Sequence, residues 1–337
     1  MAQDQPAMVD LLLRVQELAD YIVPFAIRAV CELRVADLLV AGPRPVDELA
    51  AETGAHAPTL ARVLRTLASK EIFAEPRPRV FALTPAAELF RGDHPLSLRD
   101  AYPLMAVNFE AWAHFEHTVR TGEPAFPHVH GVGYYEHLAA HPHDSVRFDR
   151  IQRAGNRLEL RAMLPAYPWR ELASVVDVGG SDGAFLAGLL RRHRRMTGTL
   201  VELPHVARQA PEVFAAAGVA DRATVLAADF FADLPAGQDG YVLKRVVYDW
   251  PDADAARLLA TVRAAMRPDS RALLLEPVVA DRADLRISKT YDLLSLAMLG
   301  GRARTVDELT ELCAGVGLRV VRTVDTTMFP IIEAVPS

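Results

Sequence analysis

The segment Val175-Val-Asp-Val-Gly-Gly-Ser-Asp-Gly183 sets an acidic side chain within a β-branched run, glycines in the turn that follows, and the apolar run Ala184–Leu190 directly after. A strand, a sharp turn and a helix in that order bring bare backbone against a ligand at the carboxyl edge of a parallel sheet. That edge is where open α/β folds take nucleotide-like molecules. The next acidic residue at a strand end is Glu202, in Thr199-Leu-Val-Glu-Leu-Pro204, 25 residues beyond Asp177. A carboxylate so placed suits both hydroxyls of a ribose. The pair points to an adenosine-bearing ligand and leaves open which one.

These residues need a sheet to carry them. Strands are expected near 174–178, 198–202, 223–227, 240–246 and 271–276, with helices between them, the alternation of a parallel sheet. Leu318–Val324 and Met328–Val335 read as two further strands joined by a short turn. A closing antiparallel hairpin of this kind departs from a dinucleotide dehydrogenase. At 337 residues the chain is long for one domain. Its 51% apolar and 24% charged content is that of an ordinary soluble globular protein. A net charge of -6 argues against a nucleic-acid surface. Cys31 and Cys313 lie in separate halves and form no disulfide framework or metal-binding pair, which fits a reducing cytoplasm. No secretory leader is evident, and no apolar run reaches the ~18 residues of a membrane span. A cytoplasmic location is expected.

Upstream, residues 8–41 read as helices, with Leu11, Val15, Leu18 and Ile22 at helical spacing, then Phe25, Ala29, Val30, Leu33, Leu38 and Leu39. Their apolar content exceeds one core-facing stripe and points to burial on two sides, against a second copy in the first reading and within its own domain in the alternative. Residues 43–91 have the pattern of a winged helix-turn-helix: helix Pro45–Glu52, turn Thr53–His56, helix Pro58–Ala68, and a hairpin from Ile72–Glu75 and Arg79–Leu83. Its second helix carries only Arg62, Arg65 and Lys70 as cations, beside Glu48, Glu52 and Glu71, too little for phosphate binding. The motif is read as a packing module. The section between 95 and 168 is helical and holds His114, His117, His128, His130, His137, His141 and His143. No zinc-protease or two-His-plus-carboxylate spacing occurs there, so no metal is expected. His114 and His117, beside Trp112 and Phe115, suit either a pocket wall or a half-buried helix.

With these pieces together the chain resembles the small-molecule O-methyltransferases that use S-adenosylmethionine (SAM), the plant caffeate-type family and its bacterial antibiotic-tailoring relatives. The resemblance rests on Asp177–Gly183, Glu202–Pro204, Ala228-Asp-Phe-Phe-Ala-Asp-Leu-Pro235, Leu243-Lys-Arg-Val-Val-Tyr-Asp-Trp250, Leu275-Glu-Pro277 and Gly300-Gly-Arg-Ala-Arg-Thr305, six motifs in order over nearly the whole chain. It implies an α/β fold: a Rossmann-like class I methyltransferase sheet over 169–337, linking helices over 96–168 that line a substrate pocket, and an N-terminal α-helical winged-helix dimerisation domain over 1–95. It further implies a homodimer acting on a small molecule, with no nucleic-acid or membrane partner. For SAM it implies Asp177, Gly179, Gly180 and Gly183 around the methionine half. Glu202 goes to the ribose, and Leu203, Asp229, Phe230 and Trp250 surround the adenine. Lys244 goes by the methionine carboxylate. Phe109, Trp112, Phe115, Tyr134, Phe148, Gln152 and Asn156, with Met298 and Leu299, are placed on the substrate walls by their expected facing.

The family's usual base is a histidine directly before the Asp-Trp pair, and here that position is Tyr248. Of two carboxylates that flank the histidine, one is kept as Glu276 and the other position is Ala303. Alignment of nucleophile, carbon and sulfur can supply ~7–11 kcal/mol, and a general base adds roughly 10²–10⁴-fold. Methyl transfer to an aromatic hydroxyl, with Tyr248, Asp249 and Glu276 orienting the substrate, is therefore the first expectation. Two alternatives stay open: C-methylation of an activated aromatic or keto acid, with help from a histidine of 114–143, and non-methyl chemistry such as hydroxylation, decarboxylation or dehydration/cyclisation in a SAM-binding enzyme.

Overall fold

Helical spacing at the N-terminus becomes α1 (Gln5–Ala19) and α2 (Ile22–Glu32), followed by a 3-10 turn at Val35–Leu39. The computed structural model describes residues 5–279 and 286–337, and the chain divides into two compact units, Met1–Leu104 and Met105–Ser337. In the first unit, β1 (Arg44–Pro45), α3 (Val46–Thr53), α4 (Ala57–Ala68), β2 (Phe73–Arg77), β3 (Val80–Leu83) and the single turn α5 (Pro85–Glu88) form the expected winged helix, with strand order β1-β3-β2. Gly54, with φ of +68°, ends α3 in the left-handed conformation that glycine adopts at little cost. Leu49, Leu60, Leu64, Leu67, Phe73 and Phe81 make its core. Arg65 is bound by both oxygens of Glu75 at 3.0 Å, and Lys70 pairs with Glu17. The row Leu11, Val15, Leu18 and Ile22 is exposed, as are Met8, Leu12 and Phe25. An exposed apolar row of this size is uncommon on the surface of a monomer.

The second unit opens with five helices, α6 (Ala106–Ala113), α7 (Phe115–Thr121), α8 (Ala125–His130), α9 (Tyr134–Ala140) and the long α10 (Pro142–Met163). The sheet follows: β4 (Ser174–Val178), α11 (Ala184–Arg192), β5 (Thr197–Glu202), α12 (Pro204–Ala207), α13 (Ala210–Ala216), β6 (Ala223–Ala227), β7 (Gly240–Lys244), α14 (Asp252–Ala265) and β8 (Arg271–Leu275). It closes through α15 (Arg286–Leu299), α16 (Val306–Gly315), β9 (Leu318–Val324) and β10 (Ile331–Pro336). Strands lie in the order β6-β5-β4-β7-β8-β10-β9. The first five are parallel, and β10 enters antiparallel between β8 and β9. This is the Rossmann-like sheet with the closing hairpin that the sequence implies.

Alternation along the strands divides the core between two faces. Val176, Val178 and Leu243 pack with Leu258 and Val262 of α14, and Val175, Val242 and Leu273 pack with Leu186, Leu189 and Leu190 of α11. Chain order reverses between β4 and β7, so the loops after these strands diverge and open a crevice. Two strand ends differ from expectation. β7 stops at Lys244 because Arg245 takes a left-handed φ of +56° and turns the chain. β10 begins at Ile331, since Thr326 ties off the preceding turn by donating to the Phe329 carbonyl at 2.7 Å.

Candidate active site

At the end of β4 the backbone turns through Gly179, Ser181 and Gly183, with φ of +67°, +57° and +78°. A Cβ on Gly180 would lie 2.3 Å from Asp177 Oδ2, and one on Gly183 would lie 2.8 Å from the Phe214 ring. Neither position has room for a side chain. The Asp177 carboxyl sits beneath this turn, fully buried, with no hydrogen-bond partner on either oxygen. Burial pushes it up to about 6, against the pull of Lys244. From β5, Glu202 accepts the Ser181 N–H at 3.0 Å and the Leu203 N–H at 2.7 Å, so one carboxylate ties two strand ends together. Burial pushes Glu202 up to about 7.

One cavity runs along the crevice from this turn. It is lined by Gly179, Gly180, Glu202, Leu203, Asp229, Phe230, Lys244 and Trp250 of the sequence-derived cofactor set, and by Phe148, Gln152 and Asn156 of the substrate set. Asp229 spends one oxygen on the Phe231 N–H, and Phe230 and Phe231 stand edge-on to Trp250. A glycine cradle, an orphaned carboxyl beneath it and an acidic strand end beside aromatic rings fit SAM: Glu202 for the sugar diol, the bare backbone of Gly179 and Gly180 for the methionine arm.

The loop after β7 carries Tyr248, Asp249 and Trp250. Glu276, at the end of β8, accepts the N–H groups of Val246 and Val247 on one oxygen at 3.0 and 2.9 Å and that of Tyr248 on the other at 3.3 Å. From the opposite side the buried Arg304 donates to the carbonyls of Val247 and Trp250, and Ser295 Oγ donates to that of Tyr248. A Cβ on Gly301 would lie 2.3 Å from the Tyr248 carbonyl oxygen. The turn is gripped on its backbone, and its side chains are free to point elsewhere. Asp249 faces the cavity, with Oδ2 accepting the Tyr135 hydroxyl at 2.5 Å and Oδ1 buried without a partner. Burial pushes Asp249 up to about 7. Tyr248 is buried against Tyr291, and burial followed by the charge of Asp249 raises its phenol well above the usual value.

Several residues lie apart from their expected places. Glu276 serves the backbone of the turn and does not line the cavity, because its two oxygens are committed to three N–H groups. Asp177, Gly183 and Tyr248 also lie behind the lining. Met298 is buried in a separate cluster with Phe126 and Leu138, on which Phe115 and Leu299 pack. Trp112 is exposed and Phe109 is half-buried on α6. Phe109, Trp112, Phe115, Met298 and Leu299 do not line the cavity. His114 is exposed, and His117 stacks on His128 at 3.8 Å. No histidine of 114–143 lines the cavity, although His205 does. Among the described residues no group of His, Cys, Asp and Glu could hold a metal ion.

Tyr135, Asp149 and His205, which belong to none of the motifs, also line the cavity, as does Arg245 within the Leu243–Trp250 motif. Glu159, fully buried on α10, takes Lys244 Nζ at 2.7 Å and faces Arg245 Nε at 2.9 Å. Burial works against its charge, yet Arg245 and then Lys244 hold it below the usual carboxylate range. Lys244 is thus engaged from below. The polar spacing Asp149, Gln152, Asn156, Glu159 on α10 follows one helix face and is the signal that marks this wall.

An O-methyltransferase domain model matches residues 112–319, and an O-methyltransferase dimerisation domain model matches residues 16–93. The chain is 36% identical over 323 residues to a phenazine O-methyltransferase of Lysobacter antibioticus, covering 95% of each. It is 34% identical over 335 residues to aclacinomycin 10-hydroxylase of Streptomyces purpurascens, covering 97% of this chain and 90% of that protein. An O-methyltransferase of neocarzinostatin biosynthesis, solved with SAM and 2-hydroxy-5-methyl naphthoic acid, superposes with a TM-score of 0.82 at 33% identity, over 96% of this chain and 98% of that one.

Two outcomes are expected. Glu276→Gln replaces one acceptor with an amide donor facing a buried N–H, and should lower stability by about 1–3 kcal/mol in urea unfolding. Glu202 is protonated in part below about pH 7. Sugar hydroxyls that donate to it would favour the carboxylate, so binding should expel a proton there. Calorimetry with S-adenosylhomocysteine should then show affinity falling as pH drops below 7, by at most about tenfold per unit, with a flatter profile in Glu202→Gln.

Proposed function

The chain belongs to the family of SAM-dependent O-methyltransferases, and from that premise we propose that it methylates a hydroxyl oxygen of an aromatic, secondary-metabolite-type small molecule without a histidine base. The observation that carries this reading is a single cavity that joins the glycine cradle and Glu202 at one end to Asp249, Phe148, Gln152 and Asn156 at the other. SAM, when bound, supplies a methyl group on a positively charged sulfur. The residues' part is to hold it: Glu202 at the sugar, Phe230, Trp250 and Leu203 around the base, Asp229 nearby, and Gly179 and Gly180 at the amino-acid arm. The Lys244 ammonium keeps N–H bonds to give a carboxylate beyond the one Glu159 takes.

On the acceptor side, Tyr135, Phe148 and Trp250 offer flat apolar surface, and Gln152, Asn156 and Arg245 offer polar contacts. Gln152 Oε1 accepts from Arg245 at 3.2 Å, which fixes both. The Asn156 oxygen is buried and unpartnered, so a ligand N–H or O–H suits it. Tyr248 stays protonated, and its part is to pack the turn and shape the field at Asp249. Alignment of this kind can contribute ~7–11 kcal/mol. A homodimer is part of the same reading, supported by the exposed apolar row of α1 and the dimerisation-domain match.

Incubation with methyl-labelled SAM and hydroxylated naphthoates or phenazines should leave label on an ether oxygen. Label on carbon would indicate C-methylation, and product without label would indicate the hydroxylase or decarboxylase alternatives. In that assay Tyr248→Phe should lose less than about a hundredfold in rate. Light scattering should give a dimer, and Leu11→Glu with Leu18→Glu should give a monomer.

A further inference from the structure

We propose that Arg245 and Gln152 form a subsite for a carboxylate on the ring system of the acceptor, so that the preferred substrate is a hydroxylated aromatic acid. The proposal rests on the O-methylation reading above and narrows it to one class of acceptor. Both residues line the cavity, Gln152 from α10 and Arg245 from the turn after β7. They are joined by the 3.2 Å bond from Arg245 Nη2 to Gln152 Oε1.

Lys244 and Arg245 are neighbours in sequence whose side chains part company. Arg245 takes a φ of +56°, which few non-glycine residues adopt, and the chain turns there. Lys244 Nζ lies 5.8 Å from the centre of the Phe185 ring on α11 and has Asp177 among its charged neighbours, which sets it beneath the glycine turn. Arg245 Cζ lies 5.4 Å from the centre of the Tyr291 ring on α15, with Tyr248 and Asp249 among its titratable neighbours. Lys244 is thus the cation of the cofactor side, and Arg245 that of the acceptor side.

The guanidinium is only partly used. Nε is enclosed and faces Glu159 Oε1 at 2.9 Å, and Nη2 has its bond to Gln152. Nη1 has no partner among the described residues and is not one of the enclosed atoms, so its N–H groups open on the cavity. Gln152 accepts on Oε1, which leaves its Nε2 amide, likewise unpartnered among the described residues and not enclosed, beside the guanidinium. Asp249 does not compete: Oδ2 takes the Tyr135 hydroxyl, Oδ1 is enclosed, and neither is bonded to Arg245. Of the other acidic lining residues, Glu202 and Asp229 belong to the adenosine end, and Asp149 has Arg153, Asp182 and His205 as its charged neighbours. A planar guanidinium beside an amide is a donor set for a carboxylate. Lys244 and Arg245 share one carboxylate, Glu159, so a negative acceptor meets an unmatched cation at this end. Tyr135, Phe148 and Trp250 in the same lining offer flat surface to its rings.

The test compares a hydroxynaphthoate whose hydroxyl and carboxyl sit on different rings with its carboxamide, a pair nearly matched in hydroxyl acidity. Each is assayed with SAM for kcat and KM, and by calorimetry against protein loaded with S-adenosylhomocysteine, in wild type, Arg245→Gln and Gln152→Glu. Wild type should favour the acid over the amide by about ten- to a hundredfold in affinity and in kcat/KM, the worth of a charge-assisted hydrogen bond. Arg245→Gln should bring that ratio to within about threefold, through affinity and KM more than kcat. Should Arg245→Gln fail to fold because Glu159 keeps Lys244 alone, Gln152→Glu retains the guanidinium, sets a carboxylate against it, and should lower the ratio by about tenfold or more. Equal affinity for acid and amide in wild type overturns the proposal, as does an acid preference that survives in either variant. A loss of S-adenosylhomocysteine affinity beyond about tenfold in Arg245→Gln, with the acid-to-amide ratio unchanged, gives Arg245 to the cofactor's carboxylate and also overturns it. Methyl ether formed equally well from both acceptors removes the subsite and leaves the O-methylation reading standing. An acid preference in binding with no ether from either acceptor supports the subsite and overturns that reading.

Discussion

The site depends on the backbone grip around residues 246–250. A carboxylate from β8 takes three consecutive N–H groups, and a buried guanidinium takes two carbonyls of the same turn. An orphaned buried N–H costs about 1–3 kcal/mol, so the three that Glu276 satisfies are a strong constraint on where this loop can go. Arg304 is in turn neutralised by Asp252 at the start of α14. Because Glu276, Arg304 and Ser295 hold the turn's backbone from behind, Asp249 and Trp250 keep their side chains for the crevice. A loop held by its own side chains would have to choose between holding its shape and meeting a ligand.

A second constraint lies one layer deeper. Lys244 and Arg245 are adjacent, and both point at Glu159. Burying an ion costs several kcal/mol, which a single opposite charge repays only with good geometry. Two cations on one carboxylate leave a surplus of positive charge beneath the cavity. Asp177, pushed up by burial and drawn down by Lys244, is part of the same balance. The arrangement ties α10 to the end of β7, so the helix that lines one side of the cavity and the strand that leads into the turn at 246–250 share one electrostatic anchor.

Against this frame the loss of the family's histidine is less drastic than the sequence suggests. Methyl transfer from a sulfonium depends chiefly on alignment, and the aromatic walls with Gln152 and Asn156 supply surfaces for it. Asp249, next in sequence, lines the cavity with one oxygen held by the Tyr135 hydroxyl. Ala303, where a second carboxylate would be expected, is buried, and its N–H donates to Asp292 at 2.8 Å. That position now closes packing in place of orienting a base.

Much of the fold was readable because it rests on local rules. The β-branched runs, the glycine turn, the acidic end of β5 and the closing hairpin each follow from strand period and turn chemistry, and their strands fall within a few residues of expectation. The glycine turn at Gly180 and the acidic strand end at Glu202, which the spacing singled out, both line the cavity. What a single sequence could not decide was direction across space. Phe109, Trp112, Phe115, Met298 and Leu299 looked like pocket walls by type, but α6, α7 and α15 turn those faces to another core or to solvent. Glu276 read as an orienting acid, and only the approach of β8 to the turn after β7 commits its oxygens to backbone. Tyr135, Glu159 and Arg245 act on residues 114, 85 and 86 positions away, respectively. Contacts at that separation are set by how helices pack on the sheet, which depends on every layer at once.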